Sequence, residues 1–285
     1  MVRVLDEPAR QKLKLVHVPT GTVSLECFPD FLIIGPQRTG TTWLHANLRH
    51  HPEIFLAEPK ELFFFSRLKT PNDARFTSND LTWYLRFFHD APWRAALKTG
   101  MCLWRYRQRY RPRIRGEATA SYAALDRDVV EEITALNPDI KAILMIRDPI
   151  DRAWSHAKKD LLRKTERTVE QVPESEFRAF FGDRYQRQCA RYVEQHDNWS
   201  ACVKPGHLLV GLFDDIAARP EQLLLRVMSF LGVTSDPRYI GSLAREAVNP
   251  TAASKIPQHY RRFLEDLLRP DLDSLRERFG LSWPR

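Results

Sequence analysis

The sequence predicts one three-layer α/β domain built on a central parallel sheet. Three observations carry this. A short apolar run, Phe31–Ile34, is followed by a glycine-bounded turn and a helical stretch from about Thr41 to Arg49. A second run, Lys141–Ile146, leads through Arg147 and Asp148 into another helix. And 285 residues at 43% hydrophobic suffice for one substantial core, with no internal repeat and no low-complexity block.

Each element has a local reason. The four apolar residues Phe31–Ile34 read as a buried strand. In the turn Gly35-Pro36-Gln37-Arg38-Thr39-Gly40, the two glycines allow a tight bend and close approach of the backbone to an anion. Thr41 and Thr42 add hydroxyls where the helix opens, and the helix N-terminus adds N–H groups and its dipole. The spacing matches the nucleotide-triphosphatase loop G-x-x-x-x-G-K-[ST] at both glycines and at Thr42. It departs at Thr41, where that loop places the lysine for the β- and γ-phosphates. The cradle is kept and the lysine is lost, which points to a nucleotide with a different reactive end on a nucleotide-kinase-like fold. By itself the turn also reads as an ordinary strand–helix connection capped by threonines.

Ile54–Leu56 reads as a short strand with Glu61 just past its end, in Lys60-Glu61-Leu62-Phe63-Phe64-Phe65. A carboxylate beside three phenylalanines reads by composition as an exposed Glu flanking an apolar segment, or, if partly withdrawn from water, as a group suited to accept a proton. The strand Lys141–Ile146 ends in Arg147, whereas a triphosphatase commonly ends the comparable strand in an Asp that supports Mg²⁺. A guanidinium fork there suits a phosphate directly. Asp148 and Pro149 read as N-cap and first helical residue. Ser155 lies two turns on, so Arg147 and Ser155 can converge on one anion. Further elements are a strand at His207–Phe213, a helix ending in Phe230-Leu231-Gly232, and a C-terminal helix at Pro257–Leu268 expected to lie on the sheet. Leu161–Glu176, charged and broken by Pro173, reads as a mobile insertion near the site mouth. Residues 1–25 read as a leader or edge segment of a single domain spanning 1–285.

These motifs resemble the sulfotransferases that use 3′-phosphoadenosine 5′-phosphosulfate (PAPS), of the bacterial and glycan-modifying type. That family's 5′-phosphosulfate loop reads K-x-G-T-T-x-L, and this chain has Arg38-Thr39-Gly40-Thr41-Thr42-Trp43-Leu44. Its 3′-phosphate element is an Arg at the end of a later strand and a Ser eight residues on, matched by Arg147 and Ser155. Its K-E-x-x-F-F segment, whose Glu serves as base, is matched by Lys60–Phe65. The resemblance implies sulfuryl transfer from PAPS to a hydroxyl or amine with no metal. Glu61 and Arg38 would be catalytic. Arg38, Thr39, Gly40, Thr41, Thr42, Trp43, Arg147, Ser155 and Lys255 would bind the donor, with Trp43 stacking on adenine and Lys255, in Ser254-Lys255-Ile256-Pro257, closing over the 3′-phosphate. The family's other branch uses a His as base, and His156 is the rival candidate here. Two departures stand out. Arg38 replaces the usual Lys, and Ala118 stands after Glu117 where glycan-type members often carry a Lys, so Gly116–Tyr122 reads as a site wall.

The charge is uneven. The chain holds 44 Lys and Arg against 36 Asp and Glu, a net +8. Residues 91–116 hold eight cations and no acid, so they account for the whole excess. If Trp104–Arg115 is extended, its six arginines face one way. Three readings are open: a solvated face, a groove for an anionic acceptor or membrane surface, and, below both, a single-stranded nucleic-acid site between aromatic residues. The expected partner is a small-molecule or glycan acceptor, with an anionic one and a membrane surface left open and nucleic acid not expected. The N-terminus lacks a signal peptide's layout, and Cys27, Cys102, Cys189 and Cys202 show neither metal spacing nor a disulfide framework, so a cytoplasmic setting is expected. Two other classes are a P-loop kinase and a non-catalytic anion- or RNA-binding protein on the same fold.

Overall fold

Phe31, Leu32, Ile33 and Ile34 are fully buried, as a strand covered on both faces requires. The computed structural model describes residues 3–246 and 255–283. Strands β1 (Phe31–Ile34), β2 (Ile54–Leu56), β3 (Ile114–Ala118), β4 (Lys141–Ile146) and β5 (Leu208–Leu212) form one sheet in the order β2-β3-β1-β4-β5. Every pairing is parallel, and β1 runs beside β4 with Ile34 opposite Leu144. After β1 the chain builds β2 and β3 on one side, then crosses to build β4 and β5 on the other. Loops leaving the carboxyl ends of β1 and β4 therefore part at a crevice, the place where open parallel sheets bind ligands.

Alternation along the strands makes the three layers. Phe31, Ile33, Ile143 and Met145 pack with Leu44, Leu48, Val227 and Leu231 from helices Thr41–Leu48 and Pro220–Leu231. Leu32, Ile34, Leu144 and Ile146 pack on the opposite face with Val130, Ile133 and Leu136 of helix Arg127–Leu136. The C-terminal helix, Gln258–Phe279, is longer than expected and for the most part does not lie on the sheet. Its Tyr260, Leu264 and Leu268 pack with Trp154, Phe177 and Phe181 of helices Pro149–Ala157 and Glu174–Gly182, forming a separate apolar cluster.

The structure corrects two further expectations and, of the two readings of the N-terminal residues, describes a packed edge segment. Leu5, Val16, Val23 and Leu25 enter the core, and the Glu132 carboxylate accepts N–H bonds from Lys14, Leu15 and Val16 at 3.0, 2.9 and 2.9 Å. Leu161–Glu176 is folded: Lys158–Arg163 continues the Ser155 helix as a π-helix, and buried Val172 and Phe177 fasten the chain beyond it to the core. Trp104–Arg115 is not extended. It begins inside helix Pro92–Tyr106, turns at Arg107 (φ 56°) and enters β3 only at Ile114. Strand alternation therefore does not align its arginines, while Tyr106 and Tyr110 are buried.

Candidate active site

The loop after β1 is shaped by its two glycines. Gly35 sits at φ 143°, and a Cβ there would lie 2.9 Å from the Met145 carbonyl oxygen of β4. Gly40 sits at φ 94° and opens helix Thr41–Leu48 with no side chain capping it. Its conformation excludes a comfortable Cβ. Thr39 is fully buried and donates its hydroxyl to the Pro36 carbonyl at 2.8 Å, closing the loop on itself. The first N–H groups of the helix thus face the crevice, where a phosphate is favoured by both hydrogen bonding and the dipole.

Arg38 links this loop to the end of β4. Its Nε donates to Ser155 Oγ at 3.0 Å, and its carbonyl accepts Arg147 Nη1 at 3.0 Å. Arg147 lies on the Phe213 ring, 4.1 Å from the centroid, and Phe213 is fixed by its N–H bond to the Ile146 carbonyl at 2.7 Å. Asp148 accepts the Ile150 N–H at 2.8 Å, which starts the helix that carries Ser155. The three residues singled out from two distant motifs are therefore one cluster. More cations join it. Burial, then the charges of Arg147 and Arg163, lower the Arg38 pKa. Burial, then Arg147 and Arg38, lower that of Lys158. Like charges held together in a half-buried crevice are relieved by a bound polyanion. The residues present fit a nucleotide carrying phosphates at two positions.

Glu61 is held at the same edge of the sheet. Its N–H donates to the Ala118 carbonyl at 2.9 Å, and the next N–H, of Leu62, donates to Thr119 Oγ1 at 3.1 Å. Thr119 in turn donates to Glu117 Oε2 at 3.1 Å, and Tyr84 donates to Glu117 Oε1 at 2.5 Å. Glu117 is buried, and burial pushes its pKa up to about 7 against the pull of these donors. Its place is under the turn, bracing it. The Phe64 and Phe65 rings are buried in the core around Tyr84, so the phenylalanines anchor the turn and Lys60 is the neighbour of the carboxylate, 2.8 Å from Oε1. Both Arg38 (φ 76°) and Glu61 (φ 68°) adopt the left-handed backbone region, which costs non-glycine residues of order 1 kcal/mol or more and persists where the surroundings enforce it. Lys159 feels both of them: Arg38 lowers its pKa and Glu61 raises it, behind the dominant effect of burial.

Trp43 and His156 are buried in the protein, and Lys255 stands at the edge of the described residues. Trp43 is core: it is 3% exposed, packs among apolar side chains and donates its indole N–H to the Ala244 carbonyl at 3.1 Å. The aromatic ring at the loop is Phe213. His156 follows Ser155 but is turned about 100° round the helix, into the protein. Its Nδ1 meets Gln186 Oε1 at 3.1 Å and its Nε2 meets Asp160 at 3.4 Å, so both ring nitrogens are engaged. Burial lowers its pKa. Lys255 is exposed at the start of a described segment, and Ser254 lies outside the described residues. The sequence reading missed Lys158, Lys159 and Arg163. Extending the helical register of Ser155 by three and four residues would have found the first two. Among the described residues no group of three or more His, Cys, Asp or Glu side chains is gathered as a metal site.

Comparison with known proteins agrees with this geometry. Residues 29–237 match the model of the sulfotransferase family. The chain is 27% identical over 150 residues to the membrane-associated sulfotransferase kil1 of Dictyostelium discoideum, covering 51% of this chain and 27% of that protein. It is 27% identical over 229 residues to the human bifunctional heparan sulfate N-deacetylase/N-sulfotransferase 2, covering 75% of this chain and 23% of that protein. The chain thus spans about a quarter of the length of these relatives. The crystal structure of a sulfotransferase from Alicyclobacillus acidocaldarius superposes with a TM-score of 0.64 at 22% identity, over 90% of this chain and 97% of the other, which shows the shared fold.

Proposed function

The chain belongs to the sulfotransferase family, and from that premise we propose that it transfers a sulfuryl group from PAPS to a hydroxyl or amine, releasing adenosine 3′,5′-bisphosphate. The observation that carries the reading is the junction of Arg38, Arg147 and Ser155. It sets a guanidinium, where a triphosphatase has its Mg²⁺-supporting Asp, beside a phosphate loop that lacks the lysine. Arg147 and Ser155 would hold the 3′-phosphate, and the loop N–H groups with Arg38 the 5′-phosphosulfate. When bound, PAPS supplies an activated sulfuryl group with a phosphate as its leaving group. Glu61 would take the proton that the acceptor hydroxyl or amine gives up as it receives the sulfuryl group from the departing phosphate. Arg38 and the loop N–H groups hold the negative charge left on that phosphate.

Lys158, Lys159 and Arg163 support a small-molecule or glycan acceptor that is itself anionic. The likeness to a heparan sulfate N-sulfotransferase supports a glycan. A reducing, cytoplasmic setting belongs to the same proposal, supported by four cysteines that are all free thiols.

Calorimetry tests the donor. Adenosine 3′,5′-bisphosphate is expected to bind far more tightly than ADP or AMP, and Arg147→Ala to weaken it by about 2–3 kcal/mol, the scale of charge-assisted bonds. Equal affinity for ADP and the bisphosphate, or turnover of ATP with Mg²⁺, overturns the reading. Labelled PAPS incubated with metabolite extracts then identifies the acceptor by the mass of the product.

A further inference from the structure

Helix Pro92–Tyr106 joins β2 to β3 and turns Ala95, Cys102 and Tyr106 inward against the sheet. Its outer face is apolar and uncovered. Trp93 is 61% exposed, Leu97 62%, Met101 56% and Trp104 81%. These four stand at i, i+4, i+8 and i+11, a single stripe along the helix, with Leu103 at its margin. Among the described residues, Val4 is the only other large exposed hydrophobic side chain. Cations border the stripe: Arg94, Lys98 and Arg105 along one flank, then Arg107, Arg109, Arg111 and Arg113 in the exposed loop after the helix. The acids that face this surface are few. Glu58 is shared between Arg49 at 2.8 Å and Arg94 at 3.6 Å, Glu53 lies 3.6 Å from Arg113, and Asp90 precedes the helix.

We propose that this helix docks the protein on an anionic lipid surface, lying in the bilayer plane with Trp93, Leu97, Met101 and Trp104 among the headgroups and the bordering cations against lipid phosphates. A helix with one apolar face, a cationic border and tryptophans at both ends binds interfaces in this way. Among the described residues no helix is long and apolar enough to cross a membrane, so the contact is with the surface. Charge selects the occupant. A second copy of the chain would set two basic, acid-free helices against each other. A nucleic acid would match the charge but leave Leu97 and Met101 without an apolar partner. An anionic bilayer satisfies both halves of the surface, and cytoplasmic leaflets carry such negative lipid.

The full chain, mixed with phosphatidylcholine vesicles with and without phosphatidylserine and then sedimented, gives the test. The protein is expected to pellet with the phosphatidylserine vesicles only, and less so as salt is added. The double substitution Leu97→Ser, Trp104→Ser, and separately Arg109→Glu, Arg111→Glu, are each expected to lower the bound fraction at least about tenfold, the two halves of the contact being additive. Bisphosphate affinity should not change in either, which shows that they remain folded. No pelleting with either vesicle, or equal pelleting with both, overturns the proposal. So does binding that survives Leu97→Ser, Trp104→Ser, because the stripe would then have no part in it. A dimer in sedimentation velocity that the serine pair dissociates gives the face to a second copy and overturns it likewise.

Discussion

Around the loop after β1, Arg38, Arg147, Lys158, Lys159 and Arg163 come from separate stretches of chain and meet at the carboxyl edge of the sheet. Along residues 91–116, eight cations succeed one another in sequence and then disperse: Arg94 and Lys98 beside the end of β2, the loop arginines at the amino ends of β2 and β3, where Arg111 and Arg113 donate their N–H groups to Pro52 and Glu53. The first set is half-buried: behind burial, Arg147 and Arg163 lower the Arg38 pKa, and Arg38 lowers those of Lys158 and Lys159; most of the second is in water. Density of charge along a sequence therefore says little about where an anion binds. Convergence imposed by topology, at low effective dielectric, makes the site.

The largest effect expected at this edge of the sheet is at Glu61, beside the converged cations. Glu61→Gln keeps the shape and hydrogen bonding of the side chain but cannot take a proton, and turnover should fall about 10²–10⁴-fold. Bisphosphate affinity should stay at its wild-type value, since the proposed role of Glu61 is toward the acceptor. His156→Ala is the companion variant. Its ring is engaged by Gln186 and Asp160, so any loss it causes should appear as lowered stability rather than as a lost proton acceptor. Normal turnover in Glu61→Gln together with a dead but folded His156→Ala would reverse the assignment.

Arg38 comes next. Arg38→Ala should cut kcat by roughly 10²-fold, the scale of removing one donor to a developing oxyanion. Arg38→Lys keeps the cation and should keep substantial activity, although it forfeits the Nε bond to Ser155. A wild-type kcat in the alanine variant would show that the loop backbone alone holds the leaving group. Truncating Arg109 in parallel should change neither constant, which is the comparison in its sharpest form.

The loop and the Arg147–Ser155 pair were legible in the sequence because each is local. Gly35 and Gly40 at fixed spacing, Arg147 at a strand end and Ser155 two helical turns later are each set by backbone geometry within a few residues. That they meet through Arg38 is a consequence of the sheet order. The support of Glu61 was not legible. Lys60–Phe65 showed that a carboxylate was held there, but not that Thr119 and the buried Glu117 hold it, because that contact joins segments about sixty residues apart. Trp43 was left open for a general reason: an aromatic residue on the first helix serves stacking or core equally well by composition, and its burial among apolar side chains is visible only in the fold. The alternate arginines of 105–115 mimic a strand, and the pattern yielded to the helix that Pro92 begins and Arg107 ends.

The smallest expected effect separates the two basic regions as acceptor sites. Lys159 stands where Arg38 and Glu61 both act on it, so an anionic acceptor approaching Glu61 passes within its field. Lys159→Ala should raise the acceptor KM severalfold, about 1 kcal/mol for a partly solvated charge, and leave the PAPS KM unchanged. Added salt should raise the wild-type acceptor KM and do so less in the variant. Arg109→Glu with Arg111→Glu, assayed on a soluble acceptor, should leave both KM values where they are. Those arginines precede β3, and a five-residue strand sets its two ends roughly 15 Å apart, well beyond the screening length of about 8 Å at physiological salt. If the charge reversal raises the acceptor KM while Lys159→Ala does not, the acceptor runs along the arginine segment after all, and the converged cations serve the donor alone.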